Sequence, residues 1–105
     1  MENILCGASA YTNKFWINDK LPQLPKLVVD ELKIMCVLFV EDVGGTILLH
    51  FTNEGKLLIS ISSDENDYLY DEIGAKLKIK ELQLEKVELF KQLEEYYRIL
   101  VLGEI

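Results

Sequence analysis

Residues Leu27–Phe51 read LVVDELKIMCVLFVEDVGGTILLHF, two apolar runs separated by a double glycine. On length alone the first run, Ile34 to Val40, fits a buried strand as well as a helix. Its register decides for helix. Leu24, Val28, Leu32, Met35, Phe39 and Val43 step by three or four onto one helical face, and Lys26, Asp30, Lys33 and Glu41 fall on the opposite one. Pro22 and Pro25 precede it, and proline is tolerated at a helix start because an N–H is not needed there. Gly44 suits the left-handed position that closes a helix. The stretch therefore predicts a buried helix that stops at Gly44-Gly45 and passes straight into a strand. Were Ile34–Val40 extended instead, it would pair with Thr46–Thr52 in a three-strand meander.

Two features of this helix ask for partners. Ile34, Val37 and Leu38, spaced i, i+3, i+4, interrupt its polar face, and a helix apolar all round is covered on both sides. The cover is either another segment of the chain or a second subunit. Glu41 and Asp42 sit in the last turn, where the partial negative charge of the helix end disfavours carboxylates. They are expected to be solvated, to meet a lysine (Lys14, Lys20 or the Lys76–Lys80 island), or to serve a cation or a basic partner.

Around the helix the chain reads as hairpins. Ile4–Thr12 is a strand with Gly7 and three small residues, Ala8, Ser9 and Ala10, and Phe15-Trp16-Ile17 can pair back on it with the aromatics lying across the small side chains. Asn18-Asp19 supply cap-type residues before the prolines. Thr46–Thr52 and Lys56–Ser62 flank Asn53-Glu54-Gly55, a hairpin with Gly55 at the position needing positive φ. Leu49, Phe51, Leu57, Ile59 and Ile61 are expected to face the first helix, with His50 exposed on the outer face beside serines. Ser63–Asp67, SDEND, lacks the glycine and terminal glutamate of a calcium loop; Asp64 or Asp67 is expected to cap, with Asp71-Glu72 in the first turns.

Tyr68 to Val101 is helical in pattern almost throughout. Unbroken, it would span about 50 Å, against a radius of gyration of about 13 Å for a globule of this size. A break near Leu77–Lys80 is expected. The last helix then carries Leu82, Leu89, Leu93, Tyr96 and Leu100 on one seam. Lys76, Lys78, Lys80 and Lys86 form a basic island, read first as a solvated face with i, i+4 partners.

The whole predicts one domain, residues 1–105, of α+β class: a two-layer sandwich of antiparallel hairpins packed on helices in the order ββ-α-ββ-α(α). The net charge of −7 argues against nucleic acid and anionic membranes as partners, and no apolar run reaches the length that spans a bilayer. Met1-Glu2-Asn3 leads with an acid, and no apolar region precedes Gly7, so no signal peptide is expected. Cys6 and Cys36 are the two cysteines, without metal-site spacing, and point to a reducing, cytoplasmic setting.

Three runs, DELKIMCVLFVEDVGG (Asp30–Gly45), DEIGAKLKIKELQLEK (Asp71–Lys86) and LEEYYRILVLGE (Leu93–Glu104), together resemble a family of short, uncharacterised proteins from anaerobic Gram-positive bacteria. The resemblance implies a bacterial, cytoplasmic, stand-alone domain and carries no activity, cofactor or catalytic residue.

No phosphate loop, dinucleotide fingerprint, zinc-protease motif or nucleophile elbow is present. Val43–Thr46, VGGT, follows a helix and so lacks the helix N-terminus that would hold a phosphate. The chain is expected not to be an enzyme and to use no metal or cofactor. The leading reading is an interaction or regulatory module that self-associates as a homodimer, with Glu41, Asp42, Ile34, Val37, Leu38, Leu89, Leu93 and Tyr96 as candidate contact residues. The alternative is a small-ligand binding domain with a pocket lined by Tyr11, Trp16, Tyr68 and Tyr70.

Overall fold

Strand β1 (Asn3–Ser9) takes the interior of a four-stranded antiparallel sheet of order β2-β1-β3-β4 in a computed structural model that describes residues 3–104. The reading of Met1 and Glu2 as no leader lies outside the described residues. β2 (Lys14–Ile17), β3 (Thr46–Phe51) and β4 (Leu57–Ser62) complete the sheet. Helices α1 (Lys26–Val43), α2 (Glu72–Glu85) and α3 (Val87–Leu100) give the order ββ-α-ββ-α-α. This is the α+β sandwich expected from the pattern.

The N-terminal hairpin shows why small residues sit in β1. Gly7 pairs with Trp16 and Ala8 with Phe15, so each bulky ring lies against a residue that leaves it room. A Cβ at Gly7 would come within 3.0 Å of both Ile47 O and Trp16 Cζ2. Ile4 pairs with His50 and Cys6 with Leu49, which makes Leu5 an extra residue in the strand. This bulge breaks the in–out alternation and lets the consecutive Leu5 and Cys6 both be buried. Asn18 ties the region down, its backbone N–H donating to Leu5 O at 2.8 Å and its Nδ2 to Ile4 O at 2.8 Å. Asn18 is thus a clamp on β1 rather than a helix cap. α1 begins after Pro25, whose side chain offers no capping bond.

α1 is helical through Ile34–Val40 and buries Leu32, Met35, Cys36, Phe39, Val40 and Val43, the face that the three-and-four spacing marks. Ile47, Leu49 and Phe51 of the interior strand β3 meet the helical layer. They do not all meet α1. Phe51 stacks on Tyr97 of α3 at a centroid distance of 4.2 Å and an interplanar angle of 13°, and Leu57 N donates to Glu94 Oε2 of α3 at 2.8 Å. Arg98 lies across Gly55, which has φ 89° as the hairpin requires.

The C-terminal half differs from expectation in two places. Asp71, not Asp64 or Asp67, caps α2, accepting from Gly74 N at 2.8 Å; Asp67 instead accepts from Leu69 N in a local turn. The break falls at Lys86 (φ −108°, ψ 24°), not at Leu77–Lys80. Lys86 N still donates to Leu82 O and Phe90 N to Lys86 O, so the chain bends without losing these backbone bonds. The seam of α3 runs Leu89, Leu93, Tyr97, because Tyr97 stacks on Phe51 and takes the inward place that the pattern gave to Tyr96 and Leu100. Leu100 is exposed.

Gly44 and Gly45, at φ 81° and 70°, turn α1 into β3 with no loop between them. A Cβ on Gly45 would lie 2.4 Å from Ser62 O and 2.7 Å from Tyr70 Cε1. Gly45→Ala is predicted to destabilise the fold by at least about 2 kcal/mol, from left-handed strain and the backbone clash together. Urea denaturation checks it; a loss within error would mean that the corner relaxes.

Candidate interaction surface

The surface is set by how little of α2 is used inward. Among the described residues, Ala75 is its one fully buried side chain; Ile79 and Leu82 are partly buried against the core. On the side turned away from Ala75, Ile73, Leu77 and Leu84 are 76%, 57% and 79% exposed. Successive residues turn by about 100°, which puts these three within one narrow stripe opposite Ala75. α2 is therefore apolar on two opposite faces. Just before it, Tyr68 and Leu69 are also exposed.

Two ion pairs hold α2 against α1. Lys78 Nζ lies 2.5 Å from Asp42 Oδ2 and Lys86 Nζ 3.3 Å from Glu31 Oε2. Asp42 thus has its lysine, drawn from the Lys76–Lys80 island and within the chain. Glu41 is exposed, without an ion pair among the described residues. Lys76 pairs with Glu72 at 3.4 Å, one turn apart. Lys80 is exposed and has no ion pair among the described residues. Between α1 and α2 the pairs frame a groove of about 800 Å³ with Ile34, Met35, Leu38, Phe39 and Leu82 along it. Ile34 and Leu38 are 59% and 58% exposed, so none of the described residues fully covers the apolar centre of α1. Val37 lies away from that groove, beside Val40, Glu41 and Lys14.

The last helix does not offer the surface expected of it. Leu89 and Leu93 are buried at 7% and 1% exposure, inside the chain's own core, and are out of reach of a second subunit. Tyr96 is half-buried and its hydroxyl donates to Pro22 O, fastening α3 to the segment before α1.

The four aromatics proposed to line a pocket are dispersed. Trp16 is on the outer sheet face against Gly7. Tyr11 O–H donates to Asp67 Oδ2 at 2.6 Å and its oxygen accepts from Asp64 N at 2.9 Å, which ties the first turn to the loop before α2. Tyr70 packs on Gly45, and Tyr68 faces solvent. Tyr11 is thus tied to the loop that carries Tyr68 and Tyr70, whereas Trp16 stands on strand β2. A cleft of about 590 Å³ does exist elsewhere, where Leu5, Ile17, Leu21, Leu24 and Tyr96 come together.

His50 lies on the outer face as expected, but it is buried, at 8% exposure, because β3 is an interior strand with Ile4 and Leu58 in register on either side. Its Nε2 is 2.7 Å from Ser60 Oγ. Cys6 and Cys36 are free and fully buried. The hydrogen bond to Cys36, with burial and the charge of that neighbour, pushes the Cys6 thiol far above its ordinary 9.0. A thiol so held is a poor nucleophile. Among the described residues no three His, Cys, Asp or Glu side chains converge as a metal ion would need, and no helix is long and apolar enough to cross a membrane.

The stripe on α2 was missed by sequence reasoning, although Ile73, Leu77 and Leu84 at i, i+4, i+11 carry its signal. The expected break at Leu77–Lys80 cut the stripe in two.

Fold and surface define a small α+β domain whose distinguishing feature is an incompletely covered helical layer. The chain belongs to a family of unknown function, DUF6145, whose model matches residues 2–105. No curated protein and no solved structure matches it.

Among the described residues, five groups hold protons more tightly in the fold than outside it. Besides Cys6, Tyr11 is raised first by its bond to Asp67, Tyr70 and Tyr96 by burial, and Lys78 by its bond to Asp42. Each raised value contributes stability that is complete below the unfolded value and lost as pH climbs through the folded one. Those ordinary values are 9.0 for cysteine, 10.0 for tyrosine and 10.5 for lysine. The urea midpoint is predicted to decline once pH passes about 9. A midpoint unchanged up to pH 11 contradicts the assignment. Asp42→Asn is predicted to lower the melting temperature slightly at low salt and less at high salt, while Glu41→Gln leaves it unchanged or raises it.

Proposed function

We propose that this chain is a small, non-enzymatic interaction module that works as a homodimer, built through its helices. The observation that carries the reading is α2, buried through Ala75 on one side and bearing exposed Ile73, Leu77 and Leu84 on the other. A helix apolar on opposite faces is normally covered on both, and contiguous apolar patches on a soluble surface mark association sites. Ile34 and Leu38 on α1 add to the same layer. A twofold dimer is the commonest closed arrangement for such a surface.

A bacterial, cytoplasmic setting belongs to the same proposal. It is supported by the two buried free thiols and by the resemblance of the three runs to proteins of anaerobic Gram-positive bacteria. The net charge of −7 favours a protein partner over nucleic acid or an anionic membrane.

The cleft beside Leu5 supports a second reading, a small-ligand site, since its size is that of ordinary ligand pockets. Several of its polar groups are already engaged, however: Asn18 Nδ2 donates to Ile4 O, Asn18 Oδ1 accepts from Lys20 N, Tyr96 O–H donates to Pro22 O and Lys26 pairs with Asp30. Asp19 and Gln23 also line it. A small molecule retained in native mass spectrometry of the purified protein would reverse this ranking.

Sedimentation of the wild-type chain over a dilution series at moderate salt tests the dimer. The expected result is the mass of two chains at high micromolar concentration, falling toward one on dilution. A single species of one-chain mass throughout overturns the reading.

A further inference from the structure

We infer that two copies of this chain pair α2 against α2, antiparallel about a twofold axis, with Ile73, Leu77 and Leu84 in the seam. The inference rests on the self-association proposed above and names the surface and the geometry that perform it.

Charge points to the helix. A chain of net charge −7 repels its own copy over most of its surface. On the outer side of α2, however, the stripe carries a single charge, Lys80. Lys76 beside it is paired with Glu72, and Lys78 and Lys86 are spent on Asp42 and Glu31 of α1, so this face carries little net charge in an otherwise acidic molecule. Two copies approach with least repulsion along α2. The exposed apolar stripe lies on that same segment.

The direction follows from Lys80. Positions 73, 77, 80 and 84 repeat with the four-and-three spacing of a helix–helix seam, and Lys80 is the one charged residue among them. In a parallel pair Lys80 meets Lys80 of the second copy, two ammonium groups in the contact. In an antiparallel pair centred between Lys78 and Ile79, Lys80 lies over Leu77 of the second copy. Its aliphatic stem covers that leucine while the ammonium reaches water. Ile73 then packs on Leu84 of the other copy, and the helix dipoles oppose favourably. The same overlay brings the exposed Tyr68 and Leu69 of one copy alongside Val87 of the other, where α3 begins. Five largely exposed apolar side chains per copy supply on the order of 1,000 Å² in total, the lower bound for a stable specific interface.

Cross-linking by engineered cysteines tests the geometry, because Cys6 and Cys36 are fully buried and do not compete. Ile73→Cys/Leu84→Cys, treated with diamide, is expected to give a covalent dimer on denaturing gels. Ile73→Cys alone is expected to give none, because the two copies of residue 73 lie about 16 Å apart along an antiparallel pair, beyond the roughly 7 Å that a disulfide can bridge. Leu77→Asp and Leu84→Asp, both at exposed positions, should keep the wild-type circular dichroism and the cooperative melting of the dilute, monomeric wild-type chain. Each should weaken dimerisation by at least about a hundredfold, since a carboxylate would be desolvated in the seam. Lys80→Leu should tighten it roughly tenfold by adding apolar area and removing charge.

Rapid cross-linking of Ile73→Cys alone would overturn the antiparallel arrangement. Folded Leu77→Asp and Leu84→Asp chains that dimerise like wild type would overturn the α2 surface and leave self-association standing through another face. A monomeric wild-type chain removes both.

Discussion

The corner at Val43–Gly45 is the point on which the rest of the structure depends. α1 ends there and β3 starts without a connecting loop, which is possible because both glycines take left-handed backbone. Gly44 N closes the helix on Val40 O at 2.9 Å, and Gly45 O accepts from Ala10 N, just past the end of β1, at 2.9 Å. Ser62, the last residue of β4, and the Tyr70 ring leave no room for a side chain on Gly45. Asp71 N reaches Val43 O at 3.3 Å. Segments from five parts of the chain are thereby fixed at one place by backbone groups, with little reliance on surface side chains.

That corner also decides where α2 starts. Asp71 is at once the residue bonded to the end of α1 and the cap of α2, so α2 leaves the corner alongside α1 and its orientation is set before its own side chains act. What then holds it is modest: Ala75, partial burial of Ile79 and Leu82, and ion pairs to Asp42 and Glu31 that are partly open to solvent. Pairs of that kind contribute little on their own. α3, in contrast, is packed by Leu89, Leu93 and the Tyr97–Phe51 stack. The helical layer is firm at α3 and thin at α2, and the exposed stripe sits on the thin side.

Much of this could be read in the residues where one physical preference dominated. The three-and-four spacing of α1, the glycines after it, Gly55 in the hairpin and the Gly7–Trp16 complementarity each follow from local sterics or a single period. The lysine facing Asp42 followed from the sign of the charge at a helix end. The break at Lys86 left no such mark: no glycine or proline stands there, and the backbone bonds from Lys86 N and Phe90 N persist across it. The bulge at Leu5 and the burial of His50 depend on which strand lies next to which, a long-range fact. The dispersal of Tyr11, Trp16, Tyr68 and Tyr70 has the same origin. Tyr97 displaced Tyr96 from the seam because Phe51, far away in sequence, offered a ring to stack on.

The central claim is that α2 is secured on its inner face by the chain itself and on its outer face by a second copy. Hydrogen exchange of the Leu77–Leu84 amides at low and high protein concentration tests it most directly. Fast local exchange in the dilute sample, slowing markedly as the concentration is raised, is the predicted result. Equal exchange at both concentrations would contradict the account.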